Sequence, residues 1–332
     1  MKSNGTFSVG TLDGRLSRAQ THYVINKLQN VHPKAVYQTE TITDPTLNRE
    51  SQSLVFNTNT PDELEMLQRQ LLKKRFDMMI IAADDMLHPL IDGLQYASVL
   101  ERNTPYDALL HKEGKNIDEL ENERIGVLSM RSQAQINTLW PDLRSILMRG
   151  GAAEALDSFL QEGVVDGLIM PAAVAERLDI QDMVSEIFYP EMMLPGFCQG
   201  VLAIVCRESD EEVYKMAQEI HSIDTSIEML AEMSFRERIC PDQNCPIGVM
   251  ARVEEGIIAI TGVIGSRAGG HLQQAVIDGP VKDAKELGIA VAEELLTSGE
   301  SLADLLEADF PDGLPVATDD DDDFDDFDDG DL

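Results

Sequence analysis

Apolar runs of strand length alternate with segments of helical period along most of this chain, the pattern of α/β domains with mixed sheets. Residues 7–12 read as a strand, 17–28 as a helix and 35–42 as a second strand. Thr60-Pro61-Asp62-Glu63 is a helix start, with a capping hydroxyl, proline in the first turn and a glutamate placed to bond back, and the helix runs to about Arg75. The Met-Met-Ile-Ile run within 77–83 reads as a buried strand that enters a loop at Asp84-Asp85.

A second alternating set predicts a second domain of similar build, with strands 124–129, 143–147 and 165–170 and helices 132–139 and 152–161. The apolar strand 201–206 is expected to return to the first sheet, so that two crossings leave a hinge between the lobes. Helices near 211–221 and 226–239 are followed by a hairpin, 248–253 and 257–263, turning at Glu254-Glu255-Gly256. Residues 265–270 read as a loop after that hairpin. A last helix, 281–296, places Ala284, Leu287, Val291 and Leu295 on one stripe.

At 332 residues and 43% hydrophobic content, the chain can bury a core in each of two or three domains. No run approaches the roughly 18 apolar residues of a membrane span, and the first residues lack the apolar stretch of a secretory signal, so the expected location is the cytoplasm, with no membrane partner. Four cysteines at scattered spacing give no disulfide framework. The net charge of −34 includes −10 from ten Asp between Asp319 and Leu332. So acidic a surface repels phosphate backbones, which excludes nucleic acid as a partner, and the acidic tail is expected to be disordered.

The candidate chemistry lies in residues 238–248, Arg-Ile-Cys-Pro-Asp-Gln-Asn-Cys-Pro-Ile-Gly, which hold two of the four cysteines between a helix and a strand. This stretch resembles the loop of the hydroxymethylbilane synthase (porphobilinogen deaminase) family that carries a cysteine thioether-linked to a dipyrromethane primer. The family's thiol position is Gln243 here, with Cys240 three residues before it and Cys245 two after. Further matches are Thr21-His22-Tyr23-Val24, the segment 99–109, Leu194-Pro195, Gln199-Gly200, Cys206-Arg207 and Leu287-Gly288-Ile289. Cys198 stands where the family has glycine.

The resemblance implies two periplasmic-binding-protein-like lobes with mixed sheets plus a smaller C-terminal α+β domain. The expected limits are 1–101 with 194–210 for lobe 1, 102–193 for lobe 2, 211–310 for the C-terminal domain and 311–332 for the tail. It also implies a monomer that joins four porphobilinogen units, with loss of ammonia, into a linear tetrapyrrole, using dipyrromethane as cofactor. Asp85 falls on the family's catalytic aspartate, in a segment where His-Ser-Met-Lys-Asp has become Ile81-Ala82-Ala83-Asp84-Asp85. Ser-Ser-Leu-Arg-Arg-Gln has become Leu128-Ser129-Met130-Arg131-Ser132-Gln133, keeping Ser129 and one arginine, and Arg149 is the arginine kept in the next such segment. The cofactor-binding positions implied are therefore Cys245, Cys240, Ser129, Arg131, Arg149 and Gln199, with no metal.

Two functions remain open on the sequence. One is a divergent enzyme of tetrapyrrole synthesis, with Asp85 as the acid and Cys245 or Cys240 attaching the primer. The other is a catalytically inactive relative that binds or regulates, and residue chemistry leans toward it because a covalent anchor and several clamps are lost together. The two cysteines are separated by four residues with only distant histidines to help, which argues against zinc, and neither a GxGxxG nor a Walker A pattern occurs.

Overall fold

The computed structural model describes residues 5–43, 61–82, 90–239 and 245–297. Asp84, Asp85, Cys240, Gln243 and the acidic run at the C-terminal end lie outside the described residues. The first sheet has the order β2-β1-β3-β10-β4, built from β1 (Thr6–Leu12), β2 (Val36–Ile42), β3 (Met78–Ala82), β4 (Leu94–Val99) and β10 (Leu202–Arg207). β1 pairs in parallel with β2 and β3, whereas β10 enters between β3 and β4 antiparallel to both. The strand expected at 201–206 thus returns to the first sheet, and it does so near the middle.

The two central strands explain their unbroken apolar runs. Met78, Ile80 and Ala82 of β3, with Leu202, Ile204 and Cys206 of β10, face one core layer. Met79, Ile81, Ala203 and Val205 face the layer on the other side. A strand covered on both faces gains nothing from polar alternation. The first sheet is covered by α1 (Arg15–Val31), α2 (Pro61–Leu72) and the later helix Glu211–Gln218, with Val24 and Leu28 of α1 fully buried and Val213, Met216 and Ala217 in the same core.

The second sheet runs β7-β6-β8-β5-β9, from β5 (Asp107–His111), β6 (Arg124–Val127), β7 (Arg144–Leu147), β8 (Gly167–Pro171) and β9 (Val184–Phe188). Its helices are α3 (Met130–Leu139), α4 (Ala152–Asp157) and α5 (Ala172–Arg177). The helix expected over 152–161 is in fact α4 followed by a π-helical turn, Ser158–Glu162. Past α6 (Glu211–Gln218) and α7 (Ile223–Ile239), a three-stranded antiparallel sheet of β11 (Ile247–Glu254), β12 (Ile257–Gly265) and β13 (Leu272–Pro280) packs on α7 and on α8 (Ala284–Thr297). The expected hairpin is present, with Glu255 and Gly256 both at positive φ (49° and 82°) as a tight two-residue turn requires. β13 is an added third strand. Gly288 of α8 sits directly against the Ala231 carbonyl of α7, so these two helices touch backbone to backbone. No helix among the described residues is long and apolar enough to cross a membrane.

Candidate functional site

In open α/β sheets the ligand crevice lies beyond the carboxyl ends of the parallel strands. Here those are the ends of β1, β2 and β3 in one lobe and of β6, β7 and β8 in the other. The lobes meet along α1. Leu16 of α1 is buried in the core of the second lobe, beside Leu128, Met148 and Leu156. Next to it, Arg15 Nη1 reaches Asp157 Oδ1 at 3.3 Å across the lobe boundary. Farther along α1, Asn103 Nδ2 donates to the Tyr23 hydroxyl at 3.0 Å.

Ser129 closes the crevice end of α3. Its Oγ accepts the Ser132 N–H at 3.1 Å and lies 2.9 Å from the Ser132 hydroxyl, satisfying the first turn of the helix. Arg149, just past β7, is exposed and is the only one of the two family-matched arginines that faces solvent. Arg131 is buried instead. Its Nη1 donates to the Leu194 carbonyl at 2.6 Å, and its Nη2 lies 2.8 Å from Asp107 Oδ2. That second contact is close in distance but poorly aligned, since Oδ2 accepts no hydrogen bond of good geometry. We read it as a charge contact that fixes the guanidinium from inside the fold.

Gln199 belongs to the same cluster. Its Nε2 donates to Asp107 Oδ1 at 3.0 Å and to the Pro105 carbonyl at 2.8 Å, while its Oε1 accepts the Gly196 N–H at 3.2 Å. The two connections between the sheets, residues 100–106 and 189–201 and here called the hinge, are therefore stitched together by Gln199 and Arg131. Gly248 completes the packing, because an added Cβ there would stand 3.0 Å from Arg131 Cδ and 2.9 Å from the Pro195 carbonyl. The strand that leaves the cysteine loop thus rests on the stem of Arg131, and only glycine permits that approach.

A second buried cluster was not visible in the sequence. Arg102 grips Glu232 of α7 with Nη1 at 2.6 Å and Nη2 at 3.1 Å, and its Nε donates to the Gln199 carbonyl at 2.8 Å. Glu232 is fully buried and also accepts the Cys198 N–H and, at 2.7 Å, the Ala251 N–H. One carboxylate so ties the hinge, the crossover and β11 together. Glu228, one turn earlier on α7, accepts the Val253 N–H at 3.1 Å, and burial holds its pKa above the ordinary carboxylate value. Cys198 has φ 51°, the left-handed region that accounts for glycine at this position in the family it resembles. Arg177, also unanticipated, donates to Asn103 Oδ1 at 3.2 Å and to the Gly200 carbonyl at 2.9 Å, again on the hinge.

The raised Glu228 pKa has a testable sign. An acid whose folded pKa exceeds its unfolded one binds extra protons when folded, so its contribution to stability declines as pH rises through that window. Glu228→Gln keeps an acceptor for Val253 without the buried charge, and should leave stability unchanged or raise it by up to about 1 kcal/mol at neutral pH. In urea titrations the difference from the parent chain should shrink on acidification. A loss at neutral pH that persists in acid would count against the assignment.

The cysteines divide clearly. Cys206 is fully buried, and burial pushes its thiol up to about 11. Cys198 is buried beneath Glu232 and α7. Cys245 is half-buried against the core of the C-terminal unit, and its sulfur is engaged in a disulfide. The scattered spacing had given no reason to expect one. A sulfur held in a disulfide carries no thiol, so the covalent anchor of a dipyrromethane does not fit Cys245 in this form. Of the carboxylate ligands expected for it, Ser129 is engaged in a cap and Arg131 between the lobes, while Arg149 is exposed just past the end of β7. Asp85 and Cys240, the other expected site residues, lie outside the described residues.

Comparison with known proteins accounts for this architecture. A family model described as porphobilinogen deaminase, dipyrromethane cofactor binding domain, matches residues 7–215, and one described as porphobilinogen deaminase, C-terminal domain, matches 226–297. The porphobilinogen deaminase of Brevibacillus brevis is 32% identical over 313 residues, covering 91% of this chain and 98% of that protein. That of Desulforamulus reducens is 30% identical over 296 residues, covering 88% and 94%. Among solved structures, the methionine binding protein MetQ superposes with TM-score 0.41 at 15% identity, over 68% of this chain and 93% of that one. Both family models fall in order on the lobes and on the unit that follows them, and the relatives align over nearly their whole length: the chain belongs to the porphobilinogen deaminase family.

Proposed function

We propose that this chain is a working enzyme of tetrapyrrole synthesis that condenses porphobilinogen units head to tail with release of ammonia. The observation that carries this reading is the near-complete alignment with relatives named for that activity, which spans lobes, crevice and C-terminal unit together. It favours the enzyme over the inactive relative.

In each condensation the C–N bond of an aminomethyl group breaks and ammonia leaves. A C–C bond then forms to the next pyrrole ring, which loses a proton. Positive charge develops on the pyrrole in between, and a fixed carboxylate opposes it best in a partly dry crevice. Asp85 is our choice for that carboxylate, and Arg149 for a carboxylate ligand at the end of β7. The helix N-terminus closed by Ser129 adds favourable potential beside it. We further place the domain limits at 1–101 with 194–210, 102–193 and 211–310, and take the protein to be a cytoplasmic monomer.

Because Cys245 is engaged, no step is routed through a dipyrromethane here, and reduction of the disulfide is the condition under which a primer could be attached. The test is porphobilinogen consumption and intact mass after incubation with a dithiol reductant. Consumption of the monomer, with a mass increment of linked pyrrole units that Cys245→Ser or Cys240→Ser abolishes, is the expected result. An unchanged mass and no consumption under reducing conditions would sink the enzyme reading.

A further inference from the structure

Helix α1 is anchored in both lobes. Val24 and Leu28 lie in the core of the first sheet, whereas Leu16, about 18 Å along the helix from Leu28, lies in the core of the second lobe with Leu128, Met148 and Leu156. Arg15 and Asp157 add a half-exposed ion pair at 3.3 Å beside it. Midway along the helix, the Tyr23 hydroxyl accepts from Asn103 Nδ2, and Asn103 Oδ1 in turn accepts from Arg177 of α5 at 3.2 Å. A rotation of one lobe against the other must therefore pull Leu16 out of the core in which it is buried.

The C-terminal unit holds the two connections as well. The Ser222 N–H donates to the Val99 carbonyl at 2.8 Å, the Val99 N–H to His221 Nδ1 at 3.0 Å, and the Arg102 N–H to Thr225 Oγ1 at 3.2 Å. Residues 99–102, where β4 gives way to the first connection, are thus tied through their backbone to the start of α7. Glu232, farther along α7, accepts hydrogen bonds from Arg102 and from the Cys198 N–H, one residue of each connection, and its side chain is fully buried. A hinge works by large backbone rotations at a few residues, and here those residues are fixed by hydrogen bonds that water does not replace.

We propose that the crevice is fixed rather than hinged, with Leu16 as the catch that keeps the lobes at one separation. Withdrawing a leucine side chain from an apolar core disfavours an opened state by about tenfold to a hundredfold before any hydrogen bond is counted. Substrate then enters a crevice already at its working width, and the two connections brace the lobes instead of letting them swing. The part given to substrate rests on the functional reading above; the fixed separation of the lobes does not.

Spin labels at Thr39→Cys in the first lobe and Asp142→Cys in the second, both exposed positions, test it in the full chain by pulsed electron spin resonance. The chain without these two substitutions controls for labelling of native cysteines. A single narrow distance is expected, unchanged to within about 2 Å by porphobilinogen. Leu16→Asp in the labelled chain should add a second, longer distance. Leu16→Ala, which keeps an apolar side chain and the fold, should add the same distance in smaller proportion, and Arg15→Ala, which removes only a half-exposed pair, should add little. Two distances in the labelled chain before any Leu16 substitution, a shift beyond about 2 Å on adding porphobilinogen, or an unaltered distribution in both Leu16 variants would overturn the proposal. Equilibrium dialysis run alongside reports whether porphobilinogen binds at all. If it does not, the functional reading falls, while the substrate-free distances still decide whether the lobes are fixed.

Discussion

Arg102→Ala should cost about 3–5 kcal/mol of stability, measured by urea denaturation. The reason is the partner left behind. Glu232 is fully buried, and the two N–H groups it accepts from Cys198 and Ala251 cannot compensate a whole negative charge once the guanidinium is gone. Arg102→Lys should lose less, because charge is kept while the forked geometry is not. In the double variant Arg102→Ala with Glu232→Gln, part of the loss should return, since the stranded charge has also been removed. A loss below about 1 kcal/mol for Arg102→Ala would mean that water reaches this cluster and that the hinge is not held by it.

The second large effect reverses a general rule. Replacing glycine by alanine inside a helix ordinarily gains about 1 kcal/mol. At Gly288→Ala we expect a loss of about 2–3 kcal/mol instead, because the new methyl would run into the Ala231 carbonyl of α7. A backbone atom cannot step aside by changing rotamer, so α7 and α8 must separate. Since α7 carries both Glu228 and Glu232, separation would also disturb the Arg102 cluster. Gly288→Ala combined with Arg102→Ala should therefore cost less than the two losses added, and strict additivity would show that the helix pair and the hinge are independent.

Much of this fold is readable in the sequence where one physical cause dominates. β3 and β10 announce themselves because burial on both faces demands an unbroken apolar run, and the β11–β12 turn because its two residues need positive φ. The sequence pattern does not disclose β4, β5, β9 or β13; β4 and β5 are mostly buried but are runs of only six and five residues, too short for periodicity to identify. β9 is only partly buried along most of its length, and β13 mixes Gln273, Gln274 and Asp278 among its apolar positions, as edges of sheets tolerate. The site divides in the same way. That position 131 would be arginine beside a capping serine follows from the motif, but whether its guanidinium meets a ligand or Asp107 depends on a residue 24 positions earlier, on another strand. Arg102 and Glu232 lie 130 positions apart, beyond the reach of any local pattern.

The position of β10 also bears on how this polypeptide acquires its shape as it leaves the ribosome. All five strands of the second sheet lie within 107–188, whereas the first sheet stays open between β3 and β4 until residues 202–207 have been made. Synthesis proceeds at roughly 5–20 residues per second, so the earlier-made portion waits several seconds for the ribbon that fills its centre. The later-made lobe is expected to mature first, leaving the exposed edges of β3 and β4 as the stretch most in need of chaperone protection during that interval.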